Sequence, residues 1–305
     1  MPRSIETHAG SLEKGAATRQ VKKTLIVILG LNLLTALAKS IWGYWTESIS
    51  MQADGFHSFL DAASNVIGLV GVWFASRPPD DTHPYGHRKF ETFASFCISV
   101  FLFLGCFEIL KSSYTRFQDG IIPEVTATSF MIMILTIAMN ISISRWERKK
   151  GDLLKSEVLI ADSLHTKSDV FASFSVIVSL AAGWAGYPIL DPLVAVMIAF
   201  IIGKVGTQIL MESSKVLTDY SRIHPGEIRD LVMQIDGIEE CHAVRTRGSM
   251  NHVYVDLHIH VHPQMHLEKA HILAHRVEGE IMKRFSDVIE VVVHLEPHLP
   301  GLEND

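Results

Sequence analysis

Residues 53–61 read Ala53-Asp54-Gly55-Phe56-His57-Ser58-Phe59-Leu60-Asp61, and residues 161–169 read Ala161-Asp162-Ser163-Leu164-His165-Thr166-Lys167-Ser168-Asp169. Both have the form A-D-x-x-H-x-x-x-D, displaced by 108 residues at every matching position. Spacings of three, four and seven bring the Asp, His and Asp side chains to one face of a helix. Each motif lies inside a largely apolar stretch, and roughly 20 such residues suffice to cross a bilayer. Ionisable groups at membrane depth are costly unless they are paired or used. Two imidazoles and two carboxylates, one pair from each helix, make a four-coordinate nitrogen and oxygen set suited to zinc. The nominated ligands are therefore His57, Asp61, His165 and Asp169. The plainer alternative is a pair of satisfied polar patches between helices, and duplication of the whole motif on two spans weighs against it. Asp54 and Asp162 stay open between residues of the access path, partners of the ligands and helix-start carboxylates. Asn65 and Ser173 continue the stripe as helix-packing groups.

Outward from these motifs, six segments qualify as membrane spans: approximately Thr24–Trp45, Met51–Ala75, Phe93–Leu110, Val125–Ile143, Val158–Ala185 and Ile189–Leu210. The five tryptophans fall near span ends, where interfacial aromatics belong. Lysine and arginine crowd the connections on one side, at Lys14, Arg19, Lys22, Lys23, Arg77, Arg88, Lys89, Arg145, Arg148, Lys149, Lys150 and Lys155; the other side has Lys111 and Arg116. That bias puts both termini in the cytoplasm. Lys39, Glu108, Asn140 and Lys204 also interrupt the spans without ligand spacing; Lys204 is placed to snorkel, and Lys39 and Glu108 are candidates for a pair inside the bundle.

Past Leu210 the pattern changes. Pro225–Gln234 and Leu267–Phe285 read as helices, and Glu240–Arg247, His252–His262 and Val288–Leu295 as strands. In the second strand Val253, Val255, Leu257, Ile259 and Val261 alternate with Tyr254, Asp256, His258, His260 and His262, giving one apolar and one polar face. The expected fold is an all-α bundle of six transmembrane helices followed by a small α+β domain of αββαβ, ferredoxin-like order. Its expected divisions are a cytoplasmic tail at 1–21, a transmembrane domain at 22–220 and a cytoplasmic metal-binding dimerisation domain at 221–305.

The paired H-x-x-x-D motifs, the six spans and the C-terminal α+β domain resemble the cation diffusion facilitator family. So does Asp80-Asp81-Thr82-His83-Pro84-Tyr85-Gly86-His87-Arg88-Lys89-Phe90-Glu91 after the second span. The likeness covers about Lys22 to Glu296. It implies a homodimeric exporter in the cell (inner) membrane that exchanges a divalent metal for protons by alternating access, with the four nominated ligands as its transport site. It implies a second site at Asp80, His83 and His87, and a binuclear cytoplasmic site at His242, His258, His271, His294 and Glu296, where Glu296 stands in a position that is often Asp. It also implies a charge interlock of Lys89 with Asp219. His57 is similar to the zinc branch of the family, some relatives having Asp there. The connection Arg145–Lys155 lacks the histidines of eukaryotic zinc relatives, which fits a prokaryotic-type member. Iron, manganese, cobalt and cadmium are the alternative cargoes. His260, His262, His266 and His275 are read as surface histidines, His275 being placed to join His271, and Cys241 as a small buried residue.

Composition narrows the field. The chain is 48% hydrophobic and only 20% charged over 305 residues, with net charge −6, which offers nothing to nucleic acid. Three distant cysteines form neither a disulfide framework nor a zinc knuckle. An intramembrane metalloenzyme would want H-E-x-x-H; His266-Leu267-Glu268-Lys269-Ala270-His271 has the wrong spacing, and no enzyme is expected. A metal sensor or assembly protein would not need duplicated ligands in two spans, and a channel would not hold its ion so tightly.

Overall fold

The structure is a computed structural model describing residues 3–45, 49–119, 127–184 and 190–299. Within those helices the side chains of 3–15, 43, 49–57, 60, 112, 116–117, 119, 127–129, 132–133, 175–176, 179–184 and 190–192 are outside the description. Among the described residues the chain divides into two compact units, Met1–Ser214 and Lys215–Asp305.

The first unit is helical because a backbone in hydrocarbon must satisfy its own polar groups. Its helices are α1 (Arg3–Trp45), α2 (Ile49–Ala75), α3 (Lys89–Asp119), α4 (Ala127–Leu154), α5 (Glu157–Trp184) and α6 (Leu190–Leu217). Helix α1 runs back through the polar stretch to Arg3. Ala16–Trp42, Lys89–Thr115 and Leu193–Leu217 are long and apolar enough to cross a membrane, and α2 adds a shorter apolar run, Asp61–Ala75. Composition marks α5 less clearly, because Asp162, Lys167 and Asp169 interrupt it.

Helix α1 packs chiefly on α2, and α4 on α5, while α3 lies against both α2 and α5. Leu25, Val72, Ile98, Leu102, Val158 and Leu159 fill the space between them. A Cβ on Gly71 would stand 2.3 Å from the Cβ of Ala94, so α2 and α3 approach as closely as they do only because residue 71 has none. Leu34, Trp42, Phe107, Leu193 and Phe200 point outward and are exposed. So much large apolar surface suits lipid and not water.

The second unit runs α7 (Pro225–Val232), β1 (Glu240–Ser249), β2 (His252–Val261), α8 (Leu267–Arg284) and β3 (Val288–Pro297). The sheet order is β1-β2-β3, with β1 antiparallel and β3 parallel to β2. Val253, Val255, Leu257, Ile259 and Val261 are buried, as the alternation requires, against Leu273, Val277 and Ile281 of α8 and Ile228 and Val232 of α7. A bulge lies between His242 and Arg245 of β1, with Ala243 at φ 48°. The extra residue changes the parity of the strand. Cys241 can therefore point inward, His242 away from the core, and Thr246 inward again.

Candidate metal centres

In the helical unit, α2 and α5 bring Asp61, His165 and Asp169 together: one ligating atom of each lies within 4.8 Å of the others. His165 Nε2 is 3.9 Å from Asp61 Oδ1. The imidazole is 7% exposed, yet neither ring nitrogen has a hydrogen-bond partner. Buried polar atoms are normally paired, so a pair of free nitrogens facing carboxylates asks for a ligand. A cavity of about 20 Å³ adjoins the three side chains, room for about one water-sized species. Its remaining wall includes Asn32 and Thr35 of α1, Ser58 of α2, and Thr136 and Asn140 of α4. The motifs do not mark these residues, because they come mostly from helices that carry no ligand; Asn140 alone stood out, as an interruption. His57 and Asp54 lie on α2, and their side chains fall outside the described residues.

Asp162 joins no group of candidate ligands among the described residues. Its Oδ1 accepts a 2.8 Å hydrogen bond from Ser64 Oγ, and its Oδ2 accepts one from Asn65 Nδ2. Asn65 Oδ1 in turn accepts from Asn32 Nδ2 at 2.7 Å, so the carboxylate ties α5 to α2 and, through Asn65, to α1. Glu147 of α4, fully buried, stands beside Asp162 and Thr166 with neither oxygen in a hydrogen bond. Lys39 does face the interior, where its Nζ donates to Ser58 Oγ at 3.1 Å. Glu108 is exposed and has no ion-pair partner among the described residues, so the supposed pair with Lys39 is not formed.

Asp80, His83 and His87 also converge, in the turn between α2 and α3. Asp80 Oδ1 accepts from the Thr82 hydroxyl at 2.8 Å and from the backbone N–H groups of His83 at 2.7 Å and Thr82 at 3.0 Å. This fold of the loop on its own aspartate is local turn chemistry. It sets His83 Nδ1 3.5 Å from Oδ1 and His87 Nε2 3.4 Å from Oδ2. The Thr82 hydroxyl and then the His83 amide hold the Asp80 carboxyl down to a pKa of about 2.

In the second unit four histidines surround one carboxylate. His258 Nδ1 is 2.8 Å and His294 Nε2 3.4 Å from Glu296 Oε1; His260 Nε2 is 3.0 Å and His242 Nε2 3.4 Å from Oε2. The strand register does this, pairing His242 with His258 and His258 with His294. Desolvation works to raise the Glu296 pKa, but hydrogen bonds from His260 and His258 outweigh it and leave the group below its usual value. His260, expected on the surface, is 7% exposed. It is covered because Glu240 and Glu296 on the flanking strands close over it. His271 joins no group of candidate ligands among the described residues; on α8 its Nε2 lies 3.1 Å from His275 Nε2, and Glu278 holds His275 Nδ1 at 2.8 Å. His266 caps α8, and His262 Nδ1 accepts from the Gln264 amide. Burial pushes the Cys241 thiol up to about 11, so it stays protonated and is a poor ligand.

A bundle with apolar outer faces, an interior His–Asp cluster and a histidine-rich second unit defines a multi-pass membrane protein built to handle metal cations. Residues 25–218 match the cation efflux transmembrane domain, and residues 221–298 match the cytoplasmic domain of cation efflux proteins. The chain belongs to this family, the cation diffusion facilitators, whose members are divalent-metal transporters and not enzymes. An uncharacterised transporter of Methanocaldococcus jannaschii, MJ0449, is 32% identical over 91% of this chain and 99% of its own. The cation-efflux pump FieF of Serratia proteamaculans is 29% identical over 92% and 93%. The manganese efflux system protein MneP of Bacillus subtilis is 25% identical over 91% and 96%. A crystal structure of the cytosolic domain of a cation diffusion facilitator family protein matches at 26% identity over 24% of this chain and 86% of that one, with a TM-score of 0.23.

Proposed function

We propose that the protein exports a divalent transition metal, zinc before others, through Asp61, His165, Asp169 and His57, by exchange for protons with alternating access. The observation that carries this is the buried, unpartnered His165 imidazole set between two carboxylates beside a cavity of about 20 Å³. Neutral imidazole and ionised carboxylate bind metal, while their protonated forms do not. Loading therefore releases protons, and protons on the far side help expel the ion. In this reading the transmembrane domain spans 22–220 with six crossings. The domain at 221–305 pairs two copies and binds regulatory zinc at His242, His258, His294 and Glu296, with His271 reaching across the dimer. The loop site of Asp80, His83 and His87 holds a further ion. Both termini face the cytoplasm, and the host bilayer is the inner membrane.

Manganese is the second reading. Relatives named as manganese efflux proteins favour it, as do the hydroxyl and amide oxygens in the cavity wall, since oxygen suits harder ions. Proteoliposomes separate the two. Zinc should drive the larger uptake across a metal series, with protons moving the other way, and Asp169→Ala should abolish both fluxes in a protein that still folds. Faster manganese uptake would shift the assignment of cargo. Normal uptake by Asp169→Ala, or uptake indifferent to a collapsed pH gradient, would overturn the site or the exchange respectively.

A further inference from the structure

A separate set of ligating atoms lies on the other side of His260 from Glu296. Glu240 opens β1 and sits directly opposite His260 of β2 in the strand register. His298 follows β3, and its backbone N–H donates to Val261 O at 2.9 Å, which fixes it beside the same strand. One atom each of Glu240, His260 and His298 lies within 4.8 Å of the other two.

The orientation of His260 is what asks for an occupant. Its Nε2 faces Glu296 Oε2 at 3.0 Å and is therefore placed to donate there. A neutral ring bound in that way leaves Nδ1 with a lone pair and not a proton, and the carboxylate of Glu240, with Oε2 3.2 Å away, is a second acceptor beside it. The Nδ1 atom is buried and makes no hydrogen bond, because Glu240 stands off the line along which an N–H would point. A metal would take that line and leave the carboxylate to one side. Bonds of 2.0–2.1 Å at the tetrahedral angle set neighbouring ligand atoms about 3.3 Å apart. His298 Nδ1 is likewise buried without a partner, its nearest carboxylate being Glu239 Oε2 at 3.8 Å. A carboxylate holding one imidazole nitrogen while the other faces the ion is the usual support of a histidine ligand, and Glu296 is placed to supply it.

We propose that Glu240, His260 Nδ1 and His298 form a metal site of their own, distinct from the cluster around Glu296 and complete within one chain. Two imidazoles and one carboxylate suit zinc, cobalt or nickel over magnesium or calcium, and leave a fourth position for water. A doubly protonated His260 bridging Glu240 and Glu296 is the competing account; it gives His298 no part.

The test counts bound metal on the purified full-length protein in detergent. Metal-free samples are titrated with cobalt, whose visible absorption reports imidazole coordination, and bound cobalt per chain is measured after equilibrium dialysis. His298→Ala should lose one equivalent per chain, and Glu240→Gln should lose the same one. The double variant should therefore lose one and not two. His298 lies beyond the last strand, so its variant keeps the sheet, and circular dichroism verifies that. Wild-type cobalt content in His298→Ala, or loss of two equivalents in the double variant, overturns the proposal. The count does not involve transport, so it stands or falls independently of the cargo and of the ligands in the helical unit.

Discussion

Ala243 holds φ at 48° on the exposed side of β1, a left-handed conformation that is unfavourable for any residue with a Cβ. The strain is tolerated because the bulge lets His242 stand in the polar cluster while Thr246 turns inward, where its hydroxyl receives the backbone N–H of Arg222 at 2.9 Å. Glycine takes this conformation freely, at some entropy cost in the unfolded chain. Ala243→Gly should raise stability by up to about 1 kcal/mol. Hydrogen exchange of the β1 and β2 amides in the intact protein would slow accordingly; faster exchange would mean that Ala243 makes a contact worth more than the strain. Asp80 offers a second test at this scale. Its carboxyl lies at about 2 against a usual 3.8, with the Thr82 hydroxyl as the largest cause. A depressed carboxylate stabilises the fold above its unfolded value, and that contribution disappears as pH falls toward about 2. In metal-free protein Thr82→Val should therefore move the Asp80 titration upward, toward its usual value, and the turn should open at a higher pH. Carboxyl resonances of labelled aspartate would show it, and an unmoved midpoint would assign the shift to the backbone N–H groups.

Among the elements, α5 is held to α2 by the hydrogen-bonded carboxylate of Asp162. Removing it in Asp162→Ala takes the acceptor from the buried Asn65 amide, Ser64 keeping the Asp61 carbonyl at 2.8 Å, while Asp162→Asn keeps one acceptor and offers Glu147 a donor. Hydrogen bonds to charged groups contribute about 1.5–3 kcal/mol, so the alanine variant should lose about 3 kcal/mol and the asparagine variant clearly less. Thermal unfolding in detergent ranks them; equal midpoints would show that the network is incidental. The duplicated motifs could be read from sequence because helical spacing is local, and so could the inward face of β2, because alternation is local too. His260 could not. It sits at an outward position of its strand, and its burial comes from Glu240 and Glu296 on two other strands. Nor could the cavity wall at Thr136, since α4 meets Asp61, His165 and Asp169 only after the bundle packs. The bulge at Ala243 carries no glycine to announce it. Nor does the sequence say that Lys39 meets Ser58, because an apolar span interrupted by one charge does not say which helix will face that charge.

Over the whole molecule, each unit has its own core and its own candidate ligands. Leu25, Ile98 and Val158 belong to one core and Leu257, Val277 and Ile281 to the other. Lesions in the two should therefore differ in kind. Asp169→Ala removes a ligand with no structural substitute beside it, and transport should fail at every metal concentration. His242→Ala combined with His294→Ala strips two imidazoles from Glu296 and leaves the α2 and α5 ligands untouched. If zinc at that cluster favours a transporting conformation, it does so only through its differential affinity for that state, and coupling of this kind is typically about 1–3 kcal/mol. The double variant should then need about 5- to 150-fold more zinc for half-maximal uptake while reaching the wild-type rate at saturation. Uptake into proteoliposomes measured over a range of zinc concentrations distinguishes the two patterns. A lower maximal rate with an unchanged half-point would place the cytoplasmic cluster in the ion path. An unchanged curve would reduce it to a metal store or a dimer contact, with no control over transport.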